Sequence, residues 1–326
     1  MRYKVKDLYE KHQKDLQLRL IAGARGLRKQ IKKPVAHRPG LTLAGYYPTK
    51  VDPTILVLGD TEIKYLNEMS EDTLHLRIDK LLTSKTIAVI VSKKRALPEK
   101  IITCCEERSI ALFFSSMKTM AMINQLLMFL NDDLAPTITL HATLVEVYGV
   151  GVLIQGDSSI GKSEAALGLL EKGHRLISDD IVKIKRTDRR SLMGSGPKLT
   201  RHLIEIRGLG ILNVAHLYGA VCVRPDKNID IVIKLEEWNN QEMYDRVGLS
   251  EKHCNILDVD IPFYVLPVKP GRDVILLIET ISLQHRLKDM GYHSAKEFHA
   301  KLLDTIASKQ KVKNKHANYK TSDLKK

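Results

Sequence analysis

The segment Val152–Ser163 carries the residues whose types and spacing are most typical of chemistry. It reads VLIQGDSSIGKS and matches G-x-x-x-x-G-K-S, the pattern of a loop that binds nucleotide phosphates. Its glycines let backbone N–H groups turn toward phosphate oxygens at the positive end of the following helix. Such an octamer arises by chance in about one chain of this length in a hundred. The candidate loop residues are Gly156, Asp157, Ser158, Ser159, Ile160, Gly161, Lys162 and Ser163.

Two side chains at the end of this loop define the expected chemistry. Lys162 places a mobile positive charge near the outer phosphates, and the hydroxyl of Ser163 is a natural ligand for Mg²⁺. The flanking sequence fits the motif, because Val150–Ile154 is an apolar run typical of a buried strand and Glu164–Glu171 is typical of a helix. Gly173 is a good candidate for the end of that helix. The sequence therefore predicts a strand, a phosphate-binding loop and a helix.

Adjacent acids follow the next predicted strand. The run His174–Ile177 ends at Ser178, and Asp179 and Asp180 come directly after it. In phosphate-loop folds the strand after the first helix commonly returns acids toward the triphosphate; a polar turn with two solvated aspartates is the alternative. His141 lies in the predicted strand Ile138–Tyr148, before the loop, where a lone histidine is more often a neutral packed or exposed residue.

Three further segments combine charge with turn-forming residues. In Ile204–Val214, Glu205 and Arg207 alternate with apolar residues, and Gly208 and Gly210 indicate a backbone that bends or approaches something closely. A structural hairpin explains this segment about as well as a site does. The other two segments are Tyr244–Arg246 and Val268–Arg272, whose cations in turn-like contexts usually just face water.

The rest of the chain predicts two α/β domains. In the first half, strands alternate with helices, which is typical of a mostly parallel sheet. The predicted strands are Thr54–Leu58, Thr86–Val91 and Ala111–Phe114, and the predicted helices are Glu71–Leu82, Pro98–Glu107 and Met117–Leu130. Later apolar runs predict strands at Ile229–Leu235 and Val274–Ile278, and Ser294–Ile306 predicts a closing helix. With Asn131–Pro136 as the candidate linker, we expect domains at residues 1–133 and 134–308 and a disordered tail at 309–326.

Composition narrows the class of protein. The net charge is +14, but the tail of residues 309–326 has seven lysines and one aspartate, so 7 − 1 = +6 of that charge lies there. Zinc-finger spacing and RNA-recognition motifs are absent from the sequence, so specific nucleic-acid binding is not expected. Apolar stretches are shorter than the ~18 residues of a membrane helix, and the charged N-terminus is unlike a secretory signal. The four cysteines lack C-x-x-C spacing, and we expect reduced thiols in a cytoplasmic protein.

Taken together and in this order, the segments GDSSIGKS, SDD, EIRGLGILNV, YDRVGL and PVKPGR resemble the HPr kinase/phosphorylase family. The resemblance covers about Thr137–Ala307, and the EIRGLGI-type segment is its most diagnostic part. It implies a catalytic domain related to phosphoenolpyruvate carboxykinase, and a homohexamer that regulates carbohydrate metabolism. The implied activity is ATP- and Mg²⁺-dependent phosphorylation of a serine of the phosphocarrier protein HPr. The implied reverse reaction uses inorganic phosphate to dephosphorylate that serine and releases pyrophosphate.

The resemblance also implies residue roles. Ser163 and Glu205 would contribute to the metal site, and Lys162 and Arg246 would stabilise the transferred phosphoryl group. Asp180 would accept the proton of the HPr serine, with His141 orienting it. Asp179 is the second candidate for that base, because the sequence cannot orient two adjacent acids. The remaining implied contributors are Arg207, Gly208 and Gly210 in one segment and Lys269, Pro270, Gly271 and Arg272 in another, the latter chiefly for dephosphorylation.

Three positions depart from the family pattern. Ser159 and Ala142 stand where glycine is common, and Lys269 stands where arginine is more typical. Replacing a bidentate arginine fork with a point charge weakens phosphate handling.

The alternative enzyme is a small-metabolite kinase with the same phosphate loop. A nucleic-acid-binding regulator that uses ATP as a switch is an alternative of another class, whereas the intact Lys162, Ser163, Asp180 and Glu205 argue against a non-catalytic sensor.

Overall fold

The computed structural model describes residues 3–47, 52–92, 96–188, 190–241, 251–294, 296–299, 301–303 and 305–306. The chain divides into two units, Met1–Ala135 and Pro136–Lys326. The predicted tail at residues 309–326 and the predicted site residue Arg246 lie outside the described residues. Of the helices that are described, none has both the length and the apolar character needed to cross a membrane.

The first unit is built on one mostly parallel sheet with the strand order β1-β5-β4-β3-β2, in which only the edge pair β1 and β5 is antiparallel. The strands are β1 Leu18–Ala22, β2 Ala36–His37, β3 Thr54–Leu58, β4 Thr86–Ser92 and β5 Ala111–Ser115. The helices are α1 Val5–His12, α2 Gly40–Ala44, α3 Asp60–Asn67, α4 Glu71–Leu81, α5 Glu99–Glu107 and α6 Thr119–Asp133, with a 3₁₀ helix at Ala24–Arg28.

The predicted strands and helices of this unit are confirmed to within a few residues. Every residue of β3 and of β4 is buried. A parallel sheet is covered by helices on both faces, so its central strands consist of continuous apolar runs. That is the pattern from which these strands were predicted.

The predicted linker Asn131–Pro136 is wrong in its first half, because α6 continues through Asp133. The carboxylate of Asp133 accepts a hydrogen bond from the Tyr3 hydroxyl at 2.5 Å and pairs with His12 Nε2 at 2.8 Å and with Lys11. These contacts tie the end of α6 to α1. The turn-forming residues Asn131–Asp133 therefore remain helical, because tertiary contacts hold the side chain of Asp133.

The second unit contains a mixed sheet of the order β16-β17-β15-β8-β7-β9, an antiparallel sheet of the order β14-β11-β10-β6, and a hairpin of β12 and β13. Its strands are β6 Thr137–His141, β7 Thr143–Val147, β8 Val150–Gln155, β9 Arg175–Ser178, β10 Ile181–Arg186, β11 Leu192–Ser195, β12 Leu203–Ile206, β13 Gly210–Asn213, β14 Asp226–Asn228, β15 Ile231–Glu237, β16 Lys252–Ile256 and β17 Val259–Val268. Its helices are α7 Lys162–Glu171, α8 Val214–Tyr218 and α9 Val274–Asp289, with a 3₁₀ helix at Ala220–Cys222.

Two predictions for this unit require correction. The strand predicted over Ile138–Tyr148 is divided at Ala142, and its two parts, β6 and β7, belong to different sheets. The strand predicted at Val274–Ile278 is the start of helix α9, whose N-cap Asp273 accepts a hydrogen bond from Leu276 N at 2.9 Å. A short apolar run fits a buried strand and a buried helix face equally well, so its period does not distinguish them.

Other predictions for this unit are confirmed. Helix α7 ends at Glu171, and Gly173 follows with φ of +87°, as expected of a glycine after a helix. The described residues between 294 and 306 are helical. All four cysteines are free thiols.

Candidate active site

Three parallel strands end at the same edge of the large sheet of the second unit. Strand β8 pairs with β15 so that Gln155 faces Lys234, and β15 pairs with β17 so that Glu237 faces Val268. The segments that follow these strands are therefore neighbours. They are the predicted phosphate loop after β8, a tryptophan after β15, and a charged turn after β17. The carboxyl edge of a parallel array is where ligands of such sheets bind.

The predicted phosphate loop lies between β8 and α7, in the order that the motif requires. Gly156 has φ of +146°, and a Cβ atom there would lie 2.5 Å from Leu235 O, so only glycine fits. Gly161 has φ of +99° and precedes the first turn of α7. Ser159 also has positive φ, at +75°. A side chain at such an angle is strained, so a glycine at this position would relieve strain in the loop.

Lys162 is turned into the loop rather than into solvent. Its Nζ donates hydrogen bonds to Gly156 O and Asp157 O, both at 2.9 Å, and the residue is 7% exposed. An ammonium group has three donors, so these two bonds leave one donor for an anion. The loop carbonyls thus hold the lysine charge close to the site where phosphates are expected.

Asp179 lies beside the first turn of α7. It is buried, and its Oδ2 accepts a hydrogen bond from Ser163 Oγ at 2.8 Å. The other carboxylate oxygen accepts a hydrogen bond from Thr143 Oγ1 at 2.7 Å, and Glu205 N lies 3.4 Å from Oδ2. The side chain of Glu205 is itself exposed. Thr143, Ser163, Asp179 and Glu205 therefore come together from β7, α7, the turn after β9, and β12.

Asp180 faces different surroundings from its neighbour. Its φ is +67°, and Ile181 N donates to Asp179 O at 2.8 Å, so the chain makes a three-residue turn centred on Asp180. The turn leaves the carboxylate of Asp180 exposed, with its Oδ1 2.8 Å from Nδ1 of His141. The two adjacent acids thus point into separate environments. One is buried against the phosphate loop, and the other is accessible and paired with a histidine.

The oxygen atoms around Asp179 are of the kind that Mg²⁺ prefers. Carboxylates and hydroxyls are hard ligands, and Mg²⁺ usually takes one or two carboxylates together with water and phosphate oxygens. Ser163 Oγ and the Asp179 carboxylate, with Glu205 next to them, fit that requirement. Within the described ranges, histidines, cysteines and acids do not form a group of three that could hold a metal alone. The set suits an ion that arrives with a nucleotide.

The segment Ile204–Val214 contains the hairpin that the sequence left open as an alternative. Ile204 and Ile206 are buried, whereas Glu205 and Arg207 are exposed, as the alternating pattern predicts. Gly208 and Gly210 have φ near +85° and +84°, but a Cβ atom at either would meet nothing within 4 Å. The glycines therefore serve the bend and not a close approach. Arg207 Nη2 lies 3.4 Å from Ser158 Oγ, so the hairpin also contacts the phosphate loop.

The predicted segment Lys269–Arg272 is a tight turn after β17. Arg272 N donates to Lys269 O at 3.1 Å, and Gly271 has φ of +81°. Proline followed by a glycine with positive φ is the signature of a type II turn. The guanidinium of Arg272 donates to Pro267 O at 3.0 Å. Both cations of this segment therefore lie at the edge that carries the phosphate loop.

Sequence reasoning missed two side chains of this region. Thr143 looked like a strand residue, and only the division of the predicted strand at Ala142 reveals that it reaches Asp179. Trp238, the only tryptophan of the chain, lies under the cations of the turn after β17, and no local pattern marked it. Its position directly after an apolar strand next to β8 was the available signal.

Comparison with known proteins adds family information. Residues 3–130 match the HPr Serine kinase N terminus, and residues 132–302 match the HPr Serine kinase C-terminal domain. HPr kinase/phosphorylase from Geobacillus thermodenitrificans (strain NG80-2) is 41% identical over 93% of this chain and 97% of the relative. The same enzyme from Geobacillus sp. (strain WCH70) is 42% identical over 93% of this chain and 96% of the relative. The solved Hpr(Ser) kinase/phosphatase from Coxiella burnetii is 36% identical, covers 50% of this chain and 98% of its own, and has a TM-score of 0.45.

Proposed function

Because this chain belongs to the HPr kinase/phosphorylase family, we infer that it phosphorylates a serine of HPr with ATP and dephosphorylates that serine. The observation that carries this inference at the level of residues is the turn at Asp180. It leaves the carboxylate of Asp180 exposed, while its neighbour, Asp179, stays buried against Ser163 of the predicted phosphate loop. A kinase for a protein hydroxyl needs both an accessible base and a loaded nucleotide site.

We propose that ATP lies on Gly156–Ser163, with its phosphates near Lys162. Ser163, Asp179 and Glu205 would hold Mg²⁺, which supplies charge neutralisation of the phosphates when bound. In this arrangement Thr143 fixes the orientation of the Asp179 carboxylate through the 2.7 Å hydrogen bond. Lys162, with Arg246, stabilises the negative charge that spreads over the transferred phosphoryl group.

The proposed base is Asp180. As the serine oxygen of HPr attacks the γ-phosphorus, its proton passes to the Asp180 carboxylate. The bond between the γ-phosphorus and the bridging oxygen of ATP breaks, and ADP leaves. His141 orients the accepting carboxylate from 2.8 Å.

The proposed reverse reaction uses the same groups. An oxygen of inorganic phosphate attacks the phosphorus of phosphoserine, the bond to the serine oxygen breaks, and pyrophosphate forms. Protonated Asp180 returns its proton to the departing serine oxygen. Arg272 and Lys269 would bind phosphate in this direction, because they lie at the edge that carries the loop.

We further propose a homohexamer that regulates carbohydrate metabolism, with the catalytic domain at residues 134–308 in the fold related to phosphoenolpyruvate carboxykinase. Family membership supports these proposals. The exposed apolar side chains of Leu276, Leu283 and Leu287 on α9, and of Met290 directly after it, also support association between copies.

The decisive experiment mixes the protein with HPr, Mg²⁺ and ATP and then adds inorganic phosphate. We expect seryl-phosphorylated HPr first and pyrophosphate after the addition. A parallel incubation replaces HPr with a mixture of small metabolites. Phosphate transfer to a metabolite, with HPr left unmodified, would instead identify the small-metabolite kinase.

A further inference from the structure

Trp238 stands at the carboxyl end of β15, between the phosphate loop and the turn after β17. Its backbone N donates to Val268 O at 2.9 Å, which continues the pairing of β15 with β17 by one residue. Its indole Nε1 donates to Asn240 Oδ1 at 2.8 Å. The main chain and the ring edge are therefore both anchored, which fixes the plane of the ring.

Two cations lie against this ring. Lys269 Nζ is 4.4 Å from the ring centroid, and Arg272 Cζ is 5.5 Å from it. Both distances are within the range of a cation–π attraction, and tryptophan is the aromatic side chain with the strongest such attraction. Across the part of the chain that the structure describes, neither cation forms an ion pair with a carboxylate. Among the described residues, the charge of the pair is thus held in place without being neutralised by a carboxylate.

Two like charges repel each other, so an arrangement that holds them close needs an offsetting attraction. A carboxylate would bring them together but would cancel the charge that an anion needs. An aromatic face attracts both cations and leaves their charge available. The type II turn of Lys269–Arg272 brings the backbones of the two residues together, with Arg272 N 3.1 Å from Lys269 O, and both cations lie within reach of the same indole.

We propose that Trp238 is a positioning residue for phosphate: its indole holds Lys269 and Arg272 as a paired cationic site for a phosphate group at the edge of the sheet that bears the phosphate loop. This inference rests on the proposed function, because it concerns the phosphate used in dephosphorylation. The ligand class is a phosphate dianion or a phosphate monoester. The indole contacts the cations and not the reacting atoms.

The test compares Trp238→Leu, which removes the π face, with Trp238→Phe, which keeps an aromatic ring. The readouts are the phosphate concentration that half-saturates HPr dephosphorylation, the maximal rate, and the ATP concentration that half-saturates phosphorylation. For Trp238→Leu we expect the half-saturating phosphate concentration to rise about tenfold, because the loss of two exposed cation–π contacts corresponds to about that change in affinity. Trp238→Phe should restore most of the affinity. The half-saturating ATP concentration should change less than that for phosphate in both variants.

A second readout needs no activity. Trp238 is the sole tryptophan, so the tryptophan emission of the wild-type protein comes from this site. Titration with inorganic phosphate alone should change that emission as the cations shift toward the anion. The change should disappear in the double variant Lys269→Met, Arg272→Met, and chloride at equal ionic strength should not produce it.

The outcomes separate this inference from the proposed function. If dephosphorylation of HPr works but Trp238→Leu and wild type need the same phosphate concentration, the positioning role is wrong and the function stands. A phosphate-dependent emission change that needs both cations, in a protein inactive on HPr, would keep the phosphate site and refute the proposed function. An unchanged emission together with unchanged phosphate dependence in Trp238→Leu would overturn the inference.

Discussion

Asp180 Oδ1 lies 2.8 Å from His141 Nδ1, and both side chains are more than half exposed, at 59% and 55%. The pairing of β6 with β10 sets this contact, because His141 faces Ile181 and Ala142 N donates to Asp180 O at 3.1 Å. The carboxylate is thus oriented by backbone pairing while it remains open to a large substrate. That combination suits a base that acts on a hydroxyl of another protein.

Changing Asp180 to asparagine should abolish phosphoryl transfer without abolishing nucleotide binding. The amide keeps the size of the side chain but cannot accept the serine proton, and a positioned general base contributes about 10²–10⁴ in rate. The measurements are the initial rate of HPr phosphorylation and the affinity for ATP by calorimetry. Asp226→Asn, an exposed acid on β14, is the matched control. Near wild-type phosphorylation by the Asp180 variant would remove this residue from the base role.

Thr143→Val should lower the free energy of unfolding and the apparent affinity for Mg²⁺, whereas Thr143→Ser should change neither. Valine keeps the shape of the buried side chain but leaves Asp179 Oδ1 without its 2.7 Å donor. An unsatisfied buried polar group costs about 1–3 kcal/mol, so we expect the free energy of unfolding in urea to fall by about that amount. The Mg²⁺ concentration for half-maximal activity should also rise. Equal behaviour of the valine and serine variants would mean that this hydrogen bond does not orient Asp179.

Local sequence was enough for the parts of the site that one short segment forms. The segment from Gly156 to Ser163 is confirmed as a loop between a strand and a helix, because its glycines and its flanking apolar patterns act within a few residues. The sheet of the first unit was equally predictable from the sequence, since its central strands are apolar on both faces. For Ile204–Val214 the alternation of Glu205 and Arg207 with apolar residues left a hairpin and a site as alternatives, and the structure contains the hairpin.

The features of the site and fold that could not be predicted from the sequence depend on one torsion angle or on contacts between distant segments. The side chains of Asp179 and Asp180 enter different environments because Asp180 has a positive φ, and no residue type in the sequence required that angle. The apolar run at Val274–Ile278 became a helix because it packs against α7, where Gly168 leaves room for Ile275: a Cβ atom on that glycine would lie 2.1 Å from Ile275 Cδ1. Tertiary packing therefore overrode the strand preference of the β-branched residues.

Lys162→Ala should impair both directions of the reaction. The lysine charge is held in the loop by Gly156 O and Asp157 O, and both ATP and inorganic phosphate are proposed to use that loop. Loss of a preorganised donor to a developing charge typically costs about 10²–10³ in rate. Rates of phosphorylation and of pyrophosphate release should fall together, and exposed Lys183→Ala on β10 is the control. Retained dephosphorylation with lost phosphorylation would argue for two separate pockets.

Arg272→Ala should reduce dephosphorylation more than phosphorylation. The guanidinium lies in the turn after β17 and donates to Pro267 O rather than to the phosphate loop. Lysine in place of arginine keeps the charge but loses the bidentate fork, so Arg272→Lys should fall between the alanine variant and wild type. The two rates are measured on the same preparation with saturating HPr or phosphorylated HPr. Equal losses in both directions would contradict the division of roles proposed for this turn.

Glu279→Gln should make stability at low pH less dependent on pH. Burial of Glu279 raises its pKa, but hydrogen bonds from Lys172, His174 and Tyr148 lower it more, so the pKa falls from 4.5 to about 2. A carboxylate whose pKa is depressed on folding contributes stability above its unfolded value, and that contribution is lost as pH falls through the folded value. The wild-type free energy of unfolding should therefore decline between pH 4.5 and about 2, and the glutamine variant should show a shallower decline. Urea unfolding at several pH values measures this, with exposed Glu237→Gln as the control. Parallel curves for wild type and Glu279→Gln would show that this cluster, which joins α9 to the segments after α7 and β7, does not control acid stability.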